Sequence, residues 1–81
     1  MSNTTKLIHV GFENNLALDR VIAIATPISA PVKRAVQRAK KEERLIDLTN
    51  GRRTKTVVFL DDGWVAVIAI SPDTFSSRAS K

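Results

Sequence analysis

The feature that most constrains the fold is a pair of apolar runs joined by a tight turn. The runs are residues 56–60 and 64–70, and Asp61-Asp62-Gly63 lies between them. Asp-Gly favours a type I′ turn because both residues tolerate a positive φ, so we predict a β-hairpin. A hairpin with one face in water should alternate apolar and polar residues, and these runs do not. Both faces of the hairpin must therefore be covered.

A predicted amphipathic helix can cover one of these faces. Ser29 is a natural N-cap, and Pro31 falls in the first turn, where its missing N–H costs nothing. Apolar residues then follow helical spacing in one narrow stripe: Ile28, Val32, Ala35, Val36 and Ala39. In a chain this short, we expect a second copy of the protein to cover the other face.

Three further strands and a short helix complete the predicted fold. The residue types favour strands at residues 6–10, 21–25 and 45–48. Ser71 and Pro72 are the cap and first residue of a short second helix. The predicted class is α+β: a small, mostly antiparallel sheet of about five strands with one amphipathic helix and a short C-terminal helix. Residues 11–15 are turn-like, and we expect Phe12 to turn back and cover the core.

Length and composition predict a single soluble domain. The chain has 81 residues, so we take residues 1–81 as one domain, with residues 1–5 and 79–81 expected to be flexible. The absence of cysteine excludes disulfides, thiolate metal sites and cysteine nucleophiles. The polar N-terminus lacks the apolar segment of a secretory signal, and the longest apolar run is too short to span a bilayer. We therefore expect a cytoplasmic protein without a membrane partner.

The charge of the chain favours a polyanionic partner. The formal net charge is +5, from 13 Lys and Arg against 8 Asp and Glu. Nucleic acid is the first expectation and an anionic membrane surface the second. Six of the cations crowd the predicted helix and its end: Lys33, Arg34, Arg38, Lys40, Lys41 and Arg44. This basic face either contacts the partner or only meets solvent, and the sequence leaves both open.

A second turn carries two adjacent arginines. Asn50-Gly51 is a strong turn signal because both residues tolerate a positive φ. A strand-turn-strand arrangement places Arg52 and Arg53 where a strand leaves the turn, with their side chains starting towards opposite faces. Core packing needs no such pair, whereas two guanidinium groups on short, stiff backbone suit the binding of an anion. We refer to residues 50–55 as the Arg-Arg turn.

Few residues suit catalysis or metal binding. His9 is the only histidine, so a strand histidine satisfied by its neighbours is favoured over a ligand or a base. Three scattered glycines form no phosphate-binding loop. We therefore predict that the protein is not an enzyme and folds without metal, nucleotide or another cofactor.

Arg20, taken alone, is most simply a surface residue paired with Asp19 or Glu13. Trp64 is more simply a packing or interface residue than a base-stacking one.

These residues together resemble the RemA family, the bacterial extracellular matrix regulatory proteins. The resemblance spans residues 6–78 and depends on several motifs in the same order. They are Val10-Gly11-Phe12, Arg20, residues 29–34, Leu45-Ile46-Asp47 with Thr49, Gly51-Arg52-Arg53-Thr54, and Pro72-Asp73-Thr74. Glu13 departs from the family, whose members usually carry Gly there.

The resemblance implies an α+β DNA-binding protein that assembles into a homo-oligomeric ring. Family members activate transcription of matrix and biofilm genes, and their arginines contact the phosphates of duplex DNA. Carried over by position, the contacting residues are Arg20, Arg52 and Arg53, and Lys55 is a further candidate beside them. The resemblance thus replaces the surface pairing of Arg20 with an expectation that it lies next to the Arg-Arg turn in one patch.

Two alternatives stay open beside duplex DNA binding. One is an RNA-binding protein, although no aromatic residues interleave with the basic ones as a stacking platform for single strands would require. The other is a structural assembly module whose basic face is only solvated. Multivalency favours duplex DNA binding over both, because a ring repeats weak phosphate contacts at a fixed spacing along bent DNA.

Overall fold

The protein's computed structural model describes residues 6–80, which form six β-strands and two α-helices. The strands are β1 (Leu7–His9), β2 (Asn15–Ala17), β3 (Val21–Ala25), β4 (Leu45–Asp47), β5 (Thr56–Leu60) and β6 (Val65–Ile68). The helices are α1 (Ala30–Lys41) and α2 (Pro72–Ala79), and a short 3₁₀ turn occupies Leu18–Arg20. Residues 1–5 and 81, which were expected to be flexible, lie outside the described residues.

The predicted hairpin forms the centre of a four-stranded sheet with the order β3-β5-β6-β4. β5 and β6 are antiparallel, with Val57 opposite Val67. Asp62 and Gly63 have φ of 60° and 77°, and the Trp64 N–H donates to the Asp61 carbonyl at 3.3 Å. These angles and this bond confirm the type I′ turn. β3 pairs antiparallel with β5, while β4 pairs in parallel with β6, so the sheet is mostly antiparallel as predicted.

A second, two-stranded sheet was not predicted. β1 and β2 pair antiparallel, with Ile8 opposite Leu16. No strand was predicted between residues 11 and 20, whereas β2 forms there and a 3₁₀ turn at Leu18–Arg20 separates it from β3. Strands of three residues are too short to show the alternation that identifies a strand. The α+β class is therefore confirmed, but with six strands in two sheets among residues 6–80.

Both faces of the central hairpin are covered within one chain. α1 packs on one face, where four residues are buried together: Ala39, Val57, Val65 and Val67. The opposite face packs against β1, β2 and α2, where the buried residues are Ile8, Val10, Leu16, Val58, Ala66, Ile68 and Phe75. The expectation that a second copy covers this face is wrong. It failed because β2 was missed, so the N-terminal segment was not recognised as a layer.

The predicted helix starts are confirmed. The Ser29 hydroxyl accepts the Val32 N–H at 3.4 Å, and the Ser71 hydroxyl accepts the Thr74 N–H at 3.2 Å. A proline lies in the first turn of each helix. The predicted apolar stripe is only partly correct, because Ile28 precedes the cap of α1 and is 76% exposed. An isoleucine in water at the end of a helix is a candidate contact for another molecule.

Candidate nucleic-acid interface

The Arg-Arg turn has the predicted backbone, but its two arginines lie outside the strand that follows. Asn50 and Gly51 have φ of 54° and 81°, and the Arg52 N–H donates to the Thr49 carbonyl at 3.0 Å. β6 lies between β4 and β5, so this link crosses the end of a strand and does not close a hairpin. β5 begins at Thr56, which leaves Arg52 and Arg53 in the loop. A strand, the turn and a second strand follow one another along the chain as predicted, but the placement of Arg52 and Arg53 at the start of that second strand is wrong.

Hydrogen bonds at its base hold the Arg-Arg turn in place. The Asp47 carboxylate accepts the Thr49 hydroxyl at 2.6 Å and the Thr49 N–H at 3.0 Å. These two bonds hold the pKa of Asp47 below its usual range, and the bond from the hydroxyl has the larger effect. Thr49 is buried, and the Leu48 carbonyl accepts the Asn14 side-chain N–H at 3.4 Å. The turn is thus anchored to the strand before it and to the N-terminal layer.

Three cations surround a groove of about 340 Å³ beside this turn. Arg52, Arg53 and Lys55 line it together with Gly11, Phe12, Ala69 and Ile70. We call it the cationic groove. All three cationic side chains are exposed, and none forms an ion pair with an acid within residues 6–80. Their charge is therefore available to an anion from outside the chain.

Phe12 lies at the surface of the cationic groove and does not cover the core as predicted. Its side chain is 41% exposed, and its ring centroid is 5.2 Å from the guanidinium carbon of Arg52. Its φ is 54°, within the left-handed region that bulky residues rarely adopt. One aromatic ring therefore lies among the groove's cations, which is fewer than a stacking platform for single strands would use. Phe12 and Arg52 are remote in sequence, and only the fold brings them together.

Arg20 pairs with an acid other than the two that were expected. Its Nε donates to the Asp61 carboxylate at 2.6 Å, so neither Asp19 nor Glu13 is the partner. This hydrogen bond and the charge of Asp61 raise the pKa of Arg20. Arg20 also borders an apolar groove of about 290 Å³ that Trp64 lines.

The fold of the chain does not bring Arg20 next to the Arg-Arg turn. Val21, which follows Arg20, pairs with Leu60 at the end of β5, while the turn leads into Thr56 at its beginning. Arg20 and the Arg-Arg turn are therefore separated by the length of β5, about 13 Å at 3.3 Å per residue. The expectation of one patch therefore does not hold within the chain, because β3 runs antiparallel to β5.

The basic helix is a second cationic surface. Its exposed cations are Lys33, Arg34, Arg38, Lys40 and Lys41. Lys33 and Thr54 line the same groove, so the start of α1 lies close to the Arg-Arg turn. Arg44 is engaged elsewhere, since its guanidinium donates to the Asp62 carbonyl.

The remaining candidates have structural partners. The Arg78 guanidinium donates to the His9 carbonyl at 2.9 Å and lies 3.3 Å from His9 Nδ1, so His9 is satisfied by its neighbours as predicted. In the described part of the chain, no group of three or more His, Asp or Glu residues could hold a metal ion. No helix between residues 6 and 80 is long and apolar enough to cross a bilayer.

The fold and this site define a small basic α+β domain with a preformed cationic groove. The chain belongs to the RemA-like family, the extracellular matrix regulatory protein A-like proteins, whose family model matches residues 7–79. The family resemblance seen in the sequence is thereby confirmed.

Curated relatives point in the same direction. The chain is 49% identical over 75 residues to a protein of Dehalococcoides mccartyi, covering 93% of this chain and 78% of the relative. It is 46% identical over 77 residues to a protein of Bacillus pumilus, covering 95% and 86%. A protein of Halothermothrix orenii is 47% identical over 77 residues, covering 95% and 92%. All three carry provisional names as regulatory proteins, and with the family they indicate a regulatory role.

Proposed function

We propose that the protein is a transcriptional regulator that holds the phosphates of duplex DNA in the cationic groove. The observation that carries this proposal is the convergence of Arg52, Arg53 and Lys55 on one anchored loop, with no acid pairing them within residues 6–80. Guanidinium groups bind phosphate oxygens through charge-assisted, often bidentate hydrogen bonds. Such contacts position a protein on DNA and are indifferent to base sequence.

The proposal includes a homo-oligomer, which the family resemblance describes as a ring. Two or three phosphate contacts in one groove give weak binding, and repeating the groove at a fixed spacing multiplies them on one DNA molecule. Arg20 would add a contact from the other end of the sheet once a phosphate displaces Asp61. Activation of matrix and biofilm genes follows from the family alone, and we propose it on that basis.

Single-stranded nucleic acid, RNA included, is the second candidate. Phe12 places one aromatic ring among the cations of the groove, and bases stack on such rings in single-strand-binding proteins. Duplex DNA is favoured because a stacking platform uses several aromatic residues in succession. Phe12 is the only aromatic residue that lines the groove in the described residues.

The experiment that tests the proposal compares ligands at matched salt. Anisotropy titrations would use one labelled sequence as duplex DNA, single-stranded DNA and RNA, each with the wild type and Arg53→Ala. We expect the duplex to bind most tightly and to lose affinity in the variant. Arg34→Ala, which removes an exposed cation from α1, is the matched control. Tighter binding of RNA would favour the second candidate, and no binding of any of them would leave only an assembly role.

A further inference from the structure

The cationic groove contains one contact that phosphate binding alone does not explain. The guanidinium of Arg52 lies over the ring of Phe12 at 5.2 Å, the one cation–π contact among the described residues. Arg53 and Lys55, its neighbours in the groove, have no aromatic partner in that part of the chain. Arg52 is therefore held differently from the other two cations.

The loop that carries Phe12 is built to hold the ring at the surface. Gly11, Phe12 and Glu13 are successive left-handed residues, with φ of 100°, 54° and 64°. Such a backbone is costly for phenylalanine and persists only where the surroundings enforce it. The Val10 N–H donates to the Asn14 carbonyl, and the Asn14 N–H donates to the Gly11 carbonyl, each at 2.9 Å.

The same loop is connected to the Arg-Arg turn. Val10 is completely buried, and the Asn14 side chain donates to the Leu48 carbonyl, two residues before Asn50. The ring of Phe12 and the backbone of Arg52 are thus fixed relative to each other by anchors on both sides. An aromatic side chain that served only as core filling would not need to be exposed in this way.

We infer that Phe12 is a positioning residue for Arg52. Stacking on the ring engages the face of the guanidinium and leaves its in-plane N–H groups free for a phosphate. A guanidinium already held in one plane loses less conformational freedom on binding, which strengthens the contact. The anion's identity rests on the proposed function, whereas the stacking itself does not.

A double-mutant cycle tests the positioning role. The variants are Phe12→Leu, Arg52→Ala and their combination, with Phe12→Tyr as the conservative control. We expect Phe12→Leu to weaken duplex DNA binding roughly two- to five-fold for each groove engaged. Phe12→Tyr, which retains an aromatic ring, should bind duplex DNA as tightly as the wild type. In the Arg52→Ala background, Phe12→Leu should cause no further loss. A loss that persists there would overturn the inference, because Phe12 would then contact the nucleic acid directly.

A second readout needs no DNA. In NMR spectra of the free protein, the side-chain signals of Arg52 should show an upfield ring-current shift that Phe12→Leu removes and Phe12→Tyr keeps. Arg53 is the internal control and should show no such shift. Unshifted Arg52 signals in the wild type would overturn the inference. A ring-current shift without DNA binding would refute the proposed function and support the stacking.

Sizing of the same variants separates positioning from assembly. Phe12→Leu should form assemblies of the same molecular mass as the wild type, since the inference gives the phenyl ring of Phe12 a role inside one subunit. A change in mass would place Phe12 in the subunit interface and overturn the inference.

Discussion

At the scale of single residues, the cations of this protein differ in whether an acidic side chain already pairs with them. Arg20 is bound to Asp61 at 2.6 Å, whereas Arg52, Arg53 and Lys55 have no acidic partner within residues 6–80. An unpaired cation can offer its full charge to a phosphate, while a paired one must first break its own contact. Net charge alone cannot make this distinction.

The groove arginines should therefore dominate the salt dependence of DNA binding. Each phosphate contact contributes about 0.9 to the slope of log affinity against log salt concentration. Arg52→Ala removes one contact from every subunit bound, so the slope should flatten by several units in an oligomer. The loss should be similar for every duplex sequence, since phosphates carry no sequence information. Salt titrations on two unrelated duplexes would check this, and an unchanged slope would contradict it.

For Arg20 we predict a gain of DNA affinity when its partner Asp61 is neutralised, because that partner restrains the guanidinium. Asp61→Asn removes the charge that holds the guanidinium, and we expect tighter DNA binding if Arg20 contacts phosphate. Glu42→Gln is the matched control, since it removes one exposed negative charge at the end of α1. Equal gains in both variants would show a general charge effect and leave Arg20 as a surface residue.

At the scale of the elements, the Arg-Arg turn depends on Asp47 at the end of β4. The Thr49 hydroxyl and N–H favour the ionised carboxylate, so the pKa of Asp47 is lower in the folded state than its usual value of 3.8. A lowered pKa contributes stability that is fully present above the unfolded value. That stability is lost as the pH falls through the folded value.

Asp47→Asn should consequently destabilise the protein at pH 7 and much less at acid pH. We expect a loss of about 1 kcal/mol in the free energy of unfolding at pH 7, since the carboxylate is exposed and its bonds are partly screened. Urea unfolding at pH 7 and at an acid pH below the usual aspartate pKa would measure it. Thr49→Val removes the hydroxyl donor and should also reduce the pH dependence. An equal loss at both pH values would contradict the assignment.

At the scale of the whole molecule, the core of a single chain is complete. α1 covers one face of the central hairpin, and β1, β2 and α2 cover the other. An oligomer must therefore use other surfaces. β3 is an outermost strand of the sheet, and its Ile22 is 70% exposed beside a break in the register. An edge strand with an exposed isoleucine suits a contact between copies.

We expect Ile22→Glu to lower the molecular mass in sedimentation without unfolding the subunit. A glutamate at this edge would place a charge in the proposed interface, which costs association energy but little folding energy because Ile22 is exposed. Lys40→Glu, on the solvent side of α1, is the control. DNA affinity should fall together with the mass. A variant that keeps the wild-type mass would place the interface elsewhere, and a monomeric wild type would refute the oligomer.

The sequence by itself determined the features that depend on neighbouring residues. The turns at Asn50-Gly51 and Asp62-Gly63 and the caps Ser29 and Ser71 are all as predicted. Each depends on the φ preference or hydrogen bonding of residues a few positions apart. The arginines of the candidate site were also identified from the sequence, because an Arg-Arg pair on a turn has no role in a core.

Only the tertiary structure decided which distant residues meet. The parallel pairing of β4 with β6, the layer made by β1 and β2, and the Arg20–Asp61 bridge all join parts of the chain that no local pattern connects. The contact between Phe12 and Arg52 is of the same kind. Strands of three residues show no periodicity, and partner choice among surface charges depends on strand order. These properties emerge when the layers pack, so they are absent from any short stretch of the sequence.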